Sequence, residues 1–570
     1  MKTKVWRNHL LLSMSMVLAF GAACSNSGPA DPAPVPGSTN NEQEVGEGGI
    51  SYSAPFADGK YDPPIDMTTV AAVSPSMTFK NGETMENNVH TEWALERFGI
   101  NLNYLWTSTT QNTAFNTRMR LALSANEKMP DVLAIDDVQL ANDLIDSGKF
   151  MEVGEMWERY ASDAYKQAVN EDPTMWYPFM REDGAYGIPI PEYSWNNDTV
   201  LFIRQDWLDN LGLEAPETLD ELEAVMDAFV TQDPDGNGQA DTYGLALGMR
   251  DSLKPAQATA SWVFGAYGTI PQQWNLAEDG SLAYGSIQPG AKDALQKLNE
   301  WVSKGYIHRE AGLHDETKAA ELFTSGRAGI IAGPYWMDRT PLKDLMVNVE
   351  GASFQAYPVP TGPDGQAGRQ GTLNFRGAVL INKDAPHPEA FFVYQNYLFD
   401  NFATLQEGSE FEYQFAEGYD YVLVDGEASY DTNDIPGGRV IPQKYTITYE
   451  GARIPSSAME ALGWLAEGNE PRNNLERYHS RFSDETRLQV ANVNLNSREA
   501  SMPERFTGAP TRTMKSRGEY LNTQELETFI KIIYGELPID EFDRFVETWK
   551  SSAGDTITEE VNEWYNAVKE

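Results

Sequence analysis

The spacing of apolar residues predicts alternating helices and strands from about Thr78 onward. Apolar positions recur at helical spacing in Trp93–Gly99, which ends on a glycine, and again in Phe115–Ser124. Ile100–Trp106 alternates apolar and polar residues as a strand does, and Pro130–Ile135 has the continuous apolar run of a buried strand. Helices and strands in this order predict an α/β lobe with a largely parallel sheet.

The same alternation continues through the rest of the chain, without an internal repeat. Thr218-Leu-Asp-Glu221 has the pattern of a capping box and precedes apolar residues at helical spacing. From about Pro455 the pattern predicts mostly helices. Extended segments or strands are predicted at Tyr186–Pro191, Thr199–Ile203, Tyr243–Leu247 and Ala378–Ile381. A chain of 570 residues is too long for one core, so at least two lobes are expected.

Between the capped helix and the strand after it, the chain has the side-chain spacing of a cation-binding loop. Oxygen-bearing side chains stand at relative positions 1, 3, 5 and 9, which are Asp233, Asp235, Asn237 and Asp241. Gly238 stands at position 6, where a tight cation loop favours a residue that tolerates positive φ. Gln239 would contribute its backbone carbonyl.

The loop departs from an EF-hand at position 12, which is Gly244 instead of a bidentate glutamate. The missing ligand would come from Thr242, a backbone oxygen, water or another part of the chain. These residues predict a structural calcium site, and no nearby group resembles a base or a nucleophile. The alternative is a turn without metal, because Asp, Asn and Gly favour turns in any case.

Charge and motif content narrow the functional classes. The formal charge is 43 − 85 = −42, which excludes a nucleic-acid partner because phosphate binding needs basic surface. Of the six histidines, His308 and His314 are too far apart in sequence for a helical i, i+4 zinc pair. The sequence contains no HExxH, CxxC, GxSxG or Walker motif.

The N-terminus has the pattern of a secretory signal. Basic residues precede the apolar run Leu10–Ala23, and the only cysteine, Cys24, follows it, which predicts a signal peptide over 1–23. Phe20–Cys24 resembles the lipobox of bacterial lipoproteins, although Gly21 stands where that family usually has leucine. Cys24 is therefore expected to carry a lipid; the alternative is ordinary cleavage after an Ala-Ala pair beside an incidental cysteine.

Residues 25–50 are rich in Ser, Asn, Gly, Pro and Glu and cannot bury a core, so 24–71 is expected to be a lipidated cysteine followed by a flexible tether. Beyond the signal, no segment is long and apolar enough to span a membrane. Contact with a membrane is therefore expected only through the lipid.

Eight stretches, taken in order, resemble the extracellular solute-binding lipoproteins of bacterial ABC importers, in the large sugar- and oligosaccharide-binding subgroup common in Gram-positive bacteria. They cover nearly all of 75–570. Each is weak alone, and their order is specific. In similar alginate-oligosaccharide-binding proteins, the loop that corresponds to 233–244 of this chain holds structural calcium. Those proteins have glutamate where this chain has Thr242. The stretches are Met129–Val132, Tyr186–Pro189, Arg204–Leu208, Asp233–Gly244, Ser325–Gly329, His387–Ala390, Phe529–Gly535 and Asp540–Asp543.

The resemblance implies a periplasmic-binding-protein-like α/β fold: two α/β lobes joined by a hinge of crossover strands, with a cleft that closes on ligand. Crossings are expected near Pro189–Tyr193, Gly333–Tyr335 and Phe375–Ala378. The expected division is lobe one at 72–190 and 334–375, lobe two at 192–332 and 378–550, and a C-terminal helix at 551–570.

Sugar sites stack pyranose faces on aromatic rings and bind hydroxyls with polar side chains, so aromatic residues near the crossings are candidates. For each of them core packing is the alternative, and Trp207 is expected in the core. Arg339 and Arg376 flank two crossings and would pair either with acidic sugars or with surface carboxylates. The aromatic candidates are Trp106, Trp195, Tyr335, Trp336 and Phe375.

The predicted function is that of a monomeric, non-enzymatic solute-binding subunit on the extracellular face of the cell membrane. It would capture a saccharide, expected to be an oligosaccharide, and deliver it to ABC permease subunits. One alternative is a surface glycoside hydrolase or lyase, since two suitable carboxylates among 85 acidic residues would suffice. The other is a sugar-sensing receptor or adhesin without transport.

Overall fold

The structure is a computed structural model that describes residues 59–569. Its strands are, in chain order, β1 (Ile65–Val73), β2 (Ile100–Thr109), β3 (Val132–Ile135), β4 (Met180–Arg181), β5 (Gly184–Ala185), β6 (Ile188–Pro191), β7 (Thr199–Arg204), β8 (Tyr243–Ala246), β9 (Trp274–Leu276), β10 (Leu282–Tyr284), β11 (Ala328–Pro334), β12 (Phe354–Tyr357), β13 (Arg369–Gly371), β14 (Phe375–Ile381), β15 (Val422–Val424), β16 (Glu427–Ser429) and β17 (Ser501–Pro503).

The helices are α1 (Val89–Phe98), α2 (Ala114–Ser124), α3 (Val138–Asp146), α4 (Gly154–Tyr160), α5 (Asp163–Asn170), α6 (Gln205–Leu211), α7 (Leu219–Thr231), α8 (Ser261–Gly265), α9 (Pro289–Ser303), α10 (Glu316–Thr324), α11 (Asp344–Asn348), α12 (Ala390–Tyr397), α13 (Ser457–Ala466), α14 (Asn474–Phe482), α15 (Glu485–Asn496), α16 (Arg512–Ile533), α17 (Glu541–Trp549) and α18 (Asp555–Lys569). In the described part of the chain, none of them has the length and apolar content that a membrane crossing requires.

The first lobe is built on a sheet with strand order β3-β14-β6. β14 lies in the middle and is antiparallel to both neighbours. All four residues of β3 and of β6 are buried, because helices and loops cover both faces of this sheet. α12 adds an aromatic face in which Tyr394 lies edge-on to Trp93 of α1, at 5.8 Å between ring centroids.

The second lobe is built on a sheet with strand order β12-β7-β11-β8. α7 packs beside it and begins at the predicted capping box: Thr218 accepts from the Glu221 N–H, and the Glu221 side chain accepts from the Thr218 N–H. Trp207 is fully buried, as predicted, and packs edge-to-face with Phe229 at 5.2 Å. α16, α17 and α18 contribute Phe529, Trp549 and Val561, among others, to the same core.

The predicted largely parallel sheet is wrong. Within residues 59–569 the parallel strand pairs are β1–β2, β8–β11 and β13–β17, whereas β14 and β7 are antiparallel to both of their neighbours. The physical reason is that β14 enters the first lobe from the second and runs against strands that lead outward. A hydrophobic pattern fixes which face of a strand is buried, and it carries no information on direction.

Two parts of the predicted lobe division are also contradicted. β12 pairs with β7, so residues 334–371 return to the second sheet, and Gly333–Tyr335 is not a crossing. Residues 378–452 instead belong with the first lobe, where Val379, Phe391 and Tyr445 join its core. The cause is that β11, a short helix and β12 fold back on one sheet, and residue pattern alone does not assign a short strand to a sheet.

The chain passes between the lobes at 192–198, at 372–374 and near Pro455, and the three segments are hydrogen-bonded together. The Glu192 N–H donates to the Asn374 carbonyl at 2.8 Å, and the Ser194 N–H donates to the Pro455 carbonyl at 2.8 Å. The Asn197 N–H donates to Thr372 Oγ1 at 2.7 Å. These contacts make the three segments one structural unit. The predicted signal, Cys24 and residues 25–58 of the predicted tether lie outside the described residues. The tether prediction is wrong for residues 65–71, which belong to β1 and pair with β2. The physical reason is that Met67 and Ala71 are buried in the first-lobe core, so this segment is fixed by packing.

Candidate ligand-binding site and cation loop

A buried ion pair fixes the first two crossing segments to each other. Arg369 Nη2 lies 3.3 Å from Asp198 Oδ2, and both side chains are 0% exposed. The other carboxylate oxygen of Asp198 accepts from the backbone N–H and the hydroxyl of Thr372, at 2.7 and 2.8 Å. Burial lowers the pKa of Arg369, while the charge of Asp198 opposes that shift. Arg369 also donates to Asn494 Oδ1 at 2.8 Å, which ties α15 to the crossings.

A second charged group surrounds the third crossing. Arg453 pairs with Glu192 and with Glu450, the latter at 3.2 Å. Its guanidinium carbon lies 4.8 Å from the ring centre of Tyr193. Burial acts to lower the pKa of Arg453, but Glu192 and Glu450 outweigh it, so the pKa is raised and the cation is held in place.

Aromatic rings and arginines meet beside these crossings. Tyr335 is half-buried, and the guanidinium carbon of Arg487 lies 4.9 Å from its ring centre. Arg487 pairs with Asp338 at 2.9 Å. Burial raises the pKa of Asp338 to about 6, against the opposing charges of Arg487 and Arg339. Arg339 itself is exposed and makes no ion pair with any other described residue.

α14 supplies the facing wall. Desolvation, together with the charges of Arg487 and Arg339, lowers the pKa of His479 to about 4, so this imidazole is neutral at pH 7. The charge of Arg339 also acts on the neighbouring Tyr478. The sequence predicts no role for Tyr478 and His479, because α13 separates them from the last crossing in the chain and no motif surrounds them.

The two predicted tryptophans near the crossings complete the group. Trp195 has φ of 58° and packs with Tyr335 against Met459 and Leu462. Trp336 is half-buried and donates from Nε1 to Asn197 Oδ1 at 3.1 Å. We call this group the crossing cluster; its members are Trp195, Tyr335, Trp336, Arg339, Tyr478, His479 and Arg487.

The remaining predicted contacts lie elsewhere. Phe375 is 6% exposed and packs edge-to-face with Phe179 at 5.9 Å, so its ring is part of the first-lobe core. Trp106 is half-buried, with its ring 5.3 Å from Phe115 and 5.1 Å from the guanidinium carbon of Arg118, so its contacts lie in the first lobe. Arg376 pairs with Asp136 at 3.0 Å. Of its two predicted partners, an acidic sugar or a surface carboxylate, the structure therefore shows the carboxylate.

A cavity of about 650 Å³ adjoins the crossing cluster through Tyr478, which lines it. Its wall combines aromatic rings with amides and charged groups, which is the mixture that sugar hydroxyls and faces require. The cavity was not predictable from the sequence, because its lining comes from separate segments near residues 412, 428 and 470 that meet only in the fold. The lining includes Tyr413, Tyr430, Asn469, Asn474, Arg477 and Arg481.

The loop predicted to bind calcium leads from α7 to β8, and its polar side chains are hydrogen-bonded to one another. Asn237 Nδ2 donates to Asp235 Oδ2 at 2.8 Å and to Asp241 Oδ1 at 3.3 Å. The backbone N–H groups of Asn237 and Gly238 donate to the Asp233 carboxylate at 3.1 and 3.0 Å. Desolvation and the nearby charges of Asp233 and Asp241 raise the pKa of Asp235.

The other two predicted ligands differ from each other in position. Gln239 is exposed at the loop tip, and its N–H donates to Asn237 Oδ1 at 2.7 Å. Thr242 is only 5% exposed, and its hydroxyl donates to the Phe229 carbonyl in α7 at 2.7 Å. Thr242 therefore fastens the end of the loop to the helix, and the exposed oxygens of the loop lie before it.

Comparison with known proteins gives matches over most of the chain. The family described as bacterial extracellular solute-binding protein matches residues 78–408. The polygalacturonan/rhamnogalacturonan-binding protein YtcQ of Bacillus subtilis is 26% identical over 468 residues, which are 79% of this chain and 83% of YtcQ.

Two solved structures share the fold. The alginate-binding protein AlgQ2, in a crystal structure without calcium ion, aligns with a TM-score of 0.59 and 16% identity over 90% of this chain and 99% of AlgQ2. The HMO-binding, ABC-transporter-associated solute-binding protein of Bifidobacterium longum infantis aligns with a TM-score of 0.63 and 15% identity, over 89% of this chain and 99% of that protein. The α/β fold with two lobes is thereby confirmed.

Proposed function

Because the chain belongs to the bacterial extracellular solute-binding protein family, we propose that it captures an oligosaccharide at the crossing cluster and delivers it to the permease subunits of an ABC importer. The observation that carries this proposal is the position of the cluster: Tyr335, Trp336 and Arg339 stand beside the hydrogen-bonded segments on which the two lobes meet. A ligand bound there contacts both lobes, so its binding free energy favours the closed arrangement.

The chemistry of the cluster favours a sugar that carries carboxylates. Tyr335 and Trp336 offer half-buried rings for pyranose faces. Arg339 is an exposed arginine of the cluster, and it makes no ion pair with another residue of 59–569. A guanidinium binds a carboxylate in bidentate geometry. YtcQ and AlgQ2 are named for polygalacturonan and alginate, which are both polyuronates. We therefore assign a uronate oligosaccharide as the ligand class.

In this proposal the protein binds the saccharide and releases it without chemical change to the saccharide. The proteins named above are described as binding proteins, and the buried acid nearest the cluster, Asp338, is occupied by Arg487 at 2.9 Å. A glycosidase needs two carboxylates on opposite sides of one bond. The competing hydrolase function is tested by the same experiment as the ligand class, since it predicts shortened products.

The loop at 233–241 fits calcium as a structural ion. It gathers carboxylate and amide oxygens, the donors that calcium prefers, and desolvation together with the repulsion from Asp233 and Asp241 raises the pKa of Asp235. A divalent cation relieves that repulsion. Asp233, Asp235, Asn237 and Asp241, with the Gln239 carbonyl, would hold the ion on the second lobe, away from the saccharide. The buried Thr242 is not needed as a ligand, because its hydroxyl is bonded to α7.

Cys24 is proposed as the anchor, carrying lipid on the extracellular face of a Gram-positive membrane. The proposal rests on the position of the only cysteine at the end of the signal sequence. The tether that follows would hold the folded part at the surface, as a monomer, within reach of the permeases.

The ligand class is tested by thermal shift and calorimetry with neutral and uronate oligosaccharides of equal length. A uronate ligand at a hundredfold excess over Kd stabilises by about 2.7 kcal/mol, and Arg339→Gln weakens its binding at least tenfold. The control, Arg517→Gln, removes an exposed arginine of α16 and leaves affinity unchanged. Equal affinity of Arg339→Gln and wild type would contradict the uronate assignment. Release of shortened sugar would contradict the binding-protein function.

A further inference from the structure

A histidine cluster on the second lobe has the composition of a metal site. His308, Glu310 and His314 each offer one ligand atom, and these atoms lie within 4.8 Å of one another. The residues belong to the loop between α9 and α10, where a 3-10 turn at Ala311–Leu313 brings the two histidines together. Their ring centroids are 5.0 Å apart. The sequence spacing of His308 and His314 excludes a zinc pair on one helix. The 3-10 turn brings the two imidazoles together instead.

His314 has an unexplained buried nitrogen. The side chain is 7% exposed, and its Nδ1 has no hydrogen-bond partner among the described residues. Buried polar atoms in folded proteins are nearly always partnered, because an orphaned one keeps the full cost of leaving water. His314 belongs to the same three-residue group as the half-buried His308 and the exposed Glu310. A metal ion held by this group would account for a buried imidazole with an unpartnered nitrogen.

The loop is held in position before any ion binds. The Ala311 N–H donates to the His308 carbonyl at 2.9 Å, and the Arg250 N–H donates to the His314 carbonyl at 3.1 Å. Tyr243 of β8 lies edge-on to His308 with ring centroids 4.9 Å apart. The Gly312 N–H donates to Tyr534 Oη at 2.8 Å. A site made by these residues would therefore form on a rigid loop, and binding would not have to order a flexible one.

Metal binding changes one hydrogen bond of the loop. His308 Nδ1 accepts from the Glu310 N–H at 3.0 Å. Whichever ring nitrogen of His308 binds the ion, that hydrogen bond is exchanged for the metal bond.

We propose that His308, Glu310 and His314 form a binding site for one transition-metal ion of the zinc type, separate from the calcium loop and from the saccharide site. Two imidazoles and one carboxylate with an open position for water are a common zinc ligand set. Tetrahedral bonds of about 2.0 Å place ligand atoms roughly 3.3 Å apart, so the exposed Glu310 side chain moves inward. Nitrogen donors exclude calcium as the occupant, since calcium takes oxygen ligands.

The probe is zinc chloride, titrated calorimetrically into the chain without a polyhistidine tag, in saturating calcium so that the 233–241 loop is filled. We expect one zinc per chain. His308→Gln and Glu310→Gln each remove one ligand and should weaken zinc binding at least tenfold. Neither residue is buried, so both variants should fold. His387→Gln, a histidine of the first lobe, is the matched control and leaves zinc affinity unchanged. Asp235→Ala also leaves it unchanged and separates this site from the loop.

Cobalt substitution gives a second readout on the unmodified chain. Cobalt bound by two imidazoles and a carboxylate in low coordination gives visible absorption bands, and zinc abolishes them by displacement. The site is overturned if the wild type binds no stoichiometric zinc, if His308→Gln and Glu310→Gln bind zinc as the wild type does, or if bound cobalt gives only the spectrum of the hydrated ion. Should the variants fail to fold, the cobalt spectrum of the wild type decides.

Discussion

Arg369 and Asp198 form an ion pair of 3.3 Å between side chains that are both 0% exposed, and this pair joins two of the three segments that connect the lobes. Removing one member leaves the other charge buried without compensation, which typically costs about 3–5 kcal/mol. Arg369→Met is therefore expected to lower the free energy of unfolding by about that amount. Arg369→Met with Asp198→Asn should recover part of the loss.

The matched control for that pair is Arg376→Met. Arg376 pairs with Asp136 at 3.0 Å, but the two side chains are 20% and 51% exposed, so its loss should cost about 1 kcal/mol or less. Urea unfolding of the four proteins measures the difference. Equal losses for Arg369→Met and Arg376→Met would show that burial of the first pair has no special effect.

Glu525 of α16 predicts a pH dependence of stability. It is fully buried and accepts from Tyr284 Oη at 2.8 Å and Ser286 Oγ at 2.6 Å. Burial raises its pKa from 4.5 to about 7. The folded state thus favours the protonated form. Its stabilising contribution is complete below pH of about 4.5 and is lost as the pH rises through about 7, for a total of about 3 kcal/mol.

Glu525→Gln keeps this side chain neutral, so the variant should lack that component of the decline in unfolding free energy between pH 5 and pH 8. Glu519→Gln, on the exposed side of the same helix, is the control and should follow the wild type. Denaturant titrations across this pH range measure the slope. Parallel pH profiles for wild type and Glu525→Gln would contradict the prediction.

Calcium removal tests the loop at 233–241. Chelation should lower the melting temperature of the wild type, because an ion at a hundredfold excess over Kd contributes about 2.7 kcal/mol. Asp235→Ala removes a central ligand and should make melting insensitive to the chelator. Asp431→Ala changes an exposed turn aspartate and should retain the sensitivity. A wild-type melting curve that is the same in calcium and in chelator would rule out a structural ion.

Trp336 tests the saccharide site. Its ring is half-buried and held by Asn197 at 3.1 Å, and a stacked ring contributes about 0.5–1.5 kcal/mol beyond its buried area. Trp336→Ala should weaken uronate binding about tenfold, with less loss of stability than the roughly 3–5 kcal/mol of a core tryptophan. Trp176→Ala, a half-buried tryptophan of the first lobe, should leave affinity unchanged. Unchanged affinity in Trp336→Ala would assign this ring to packing.

Cys24→Ser tests the anchor. Loss of the thiol removes the atom that would carry the lipid, so the protein should move from the membrane fraction to the medium in cell fractionation. A second variant, Ser25→Ala, leaves the cysteine in place and should stay with the membrane. Retention of Cys24→Ser in the membrane fraction at the wild-type level would count against lipidation.

Local structure was predictable where the signal is local. The capping box at Thr218–Glu221, the glycine that ends α1 and the buried position of Trp207 all follow from residue type and spacing within one or two turns. The strand at Phe354–Tyr357 was not assignable, because four strands, β8 to β11, separate it from its partner β7 in the chain. Pairing over that distance is decided by tertiary packing.

The same limit explains the candidate sites. Trp195, Tyr335 and Trp336 were selected because they lie near predicted crossings, and they meet in the structure although Gly333–Tyr335 is not a crossing. Tyr478 and Arg487 were missed because they reach the same place from a distant helix pair, α14 and α15. His308 and His314 were rejected on helical spacing, although a 3-10 turn brings their rings to 5.0 Å. The i, i+4 spacing rule applies to residues within one helix, and it does not describe residues that a turn brings together.

The central position of β14 has a consequence for biogenesis. Val379 of β14 pairs with Ala134 on one side and with Ile188 on the other, but the four strands of the second-lobe sheet lie between those two strands and β14 in the chain. During synthesis, the outer strands of the first-lobe sheet therefore remain without their central partner until these second-lobe strands have been made. Unpaired strand edges invite association with other chains. Until β14 has been made, the edges of β3 and β6 that it will cover are therefore open to such association.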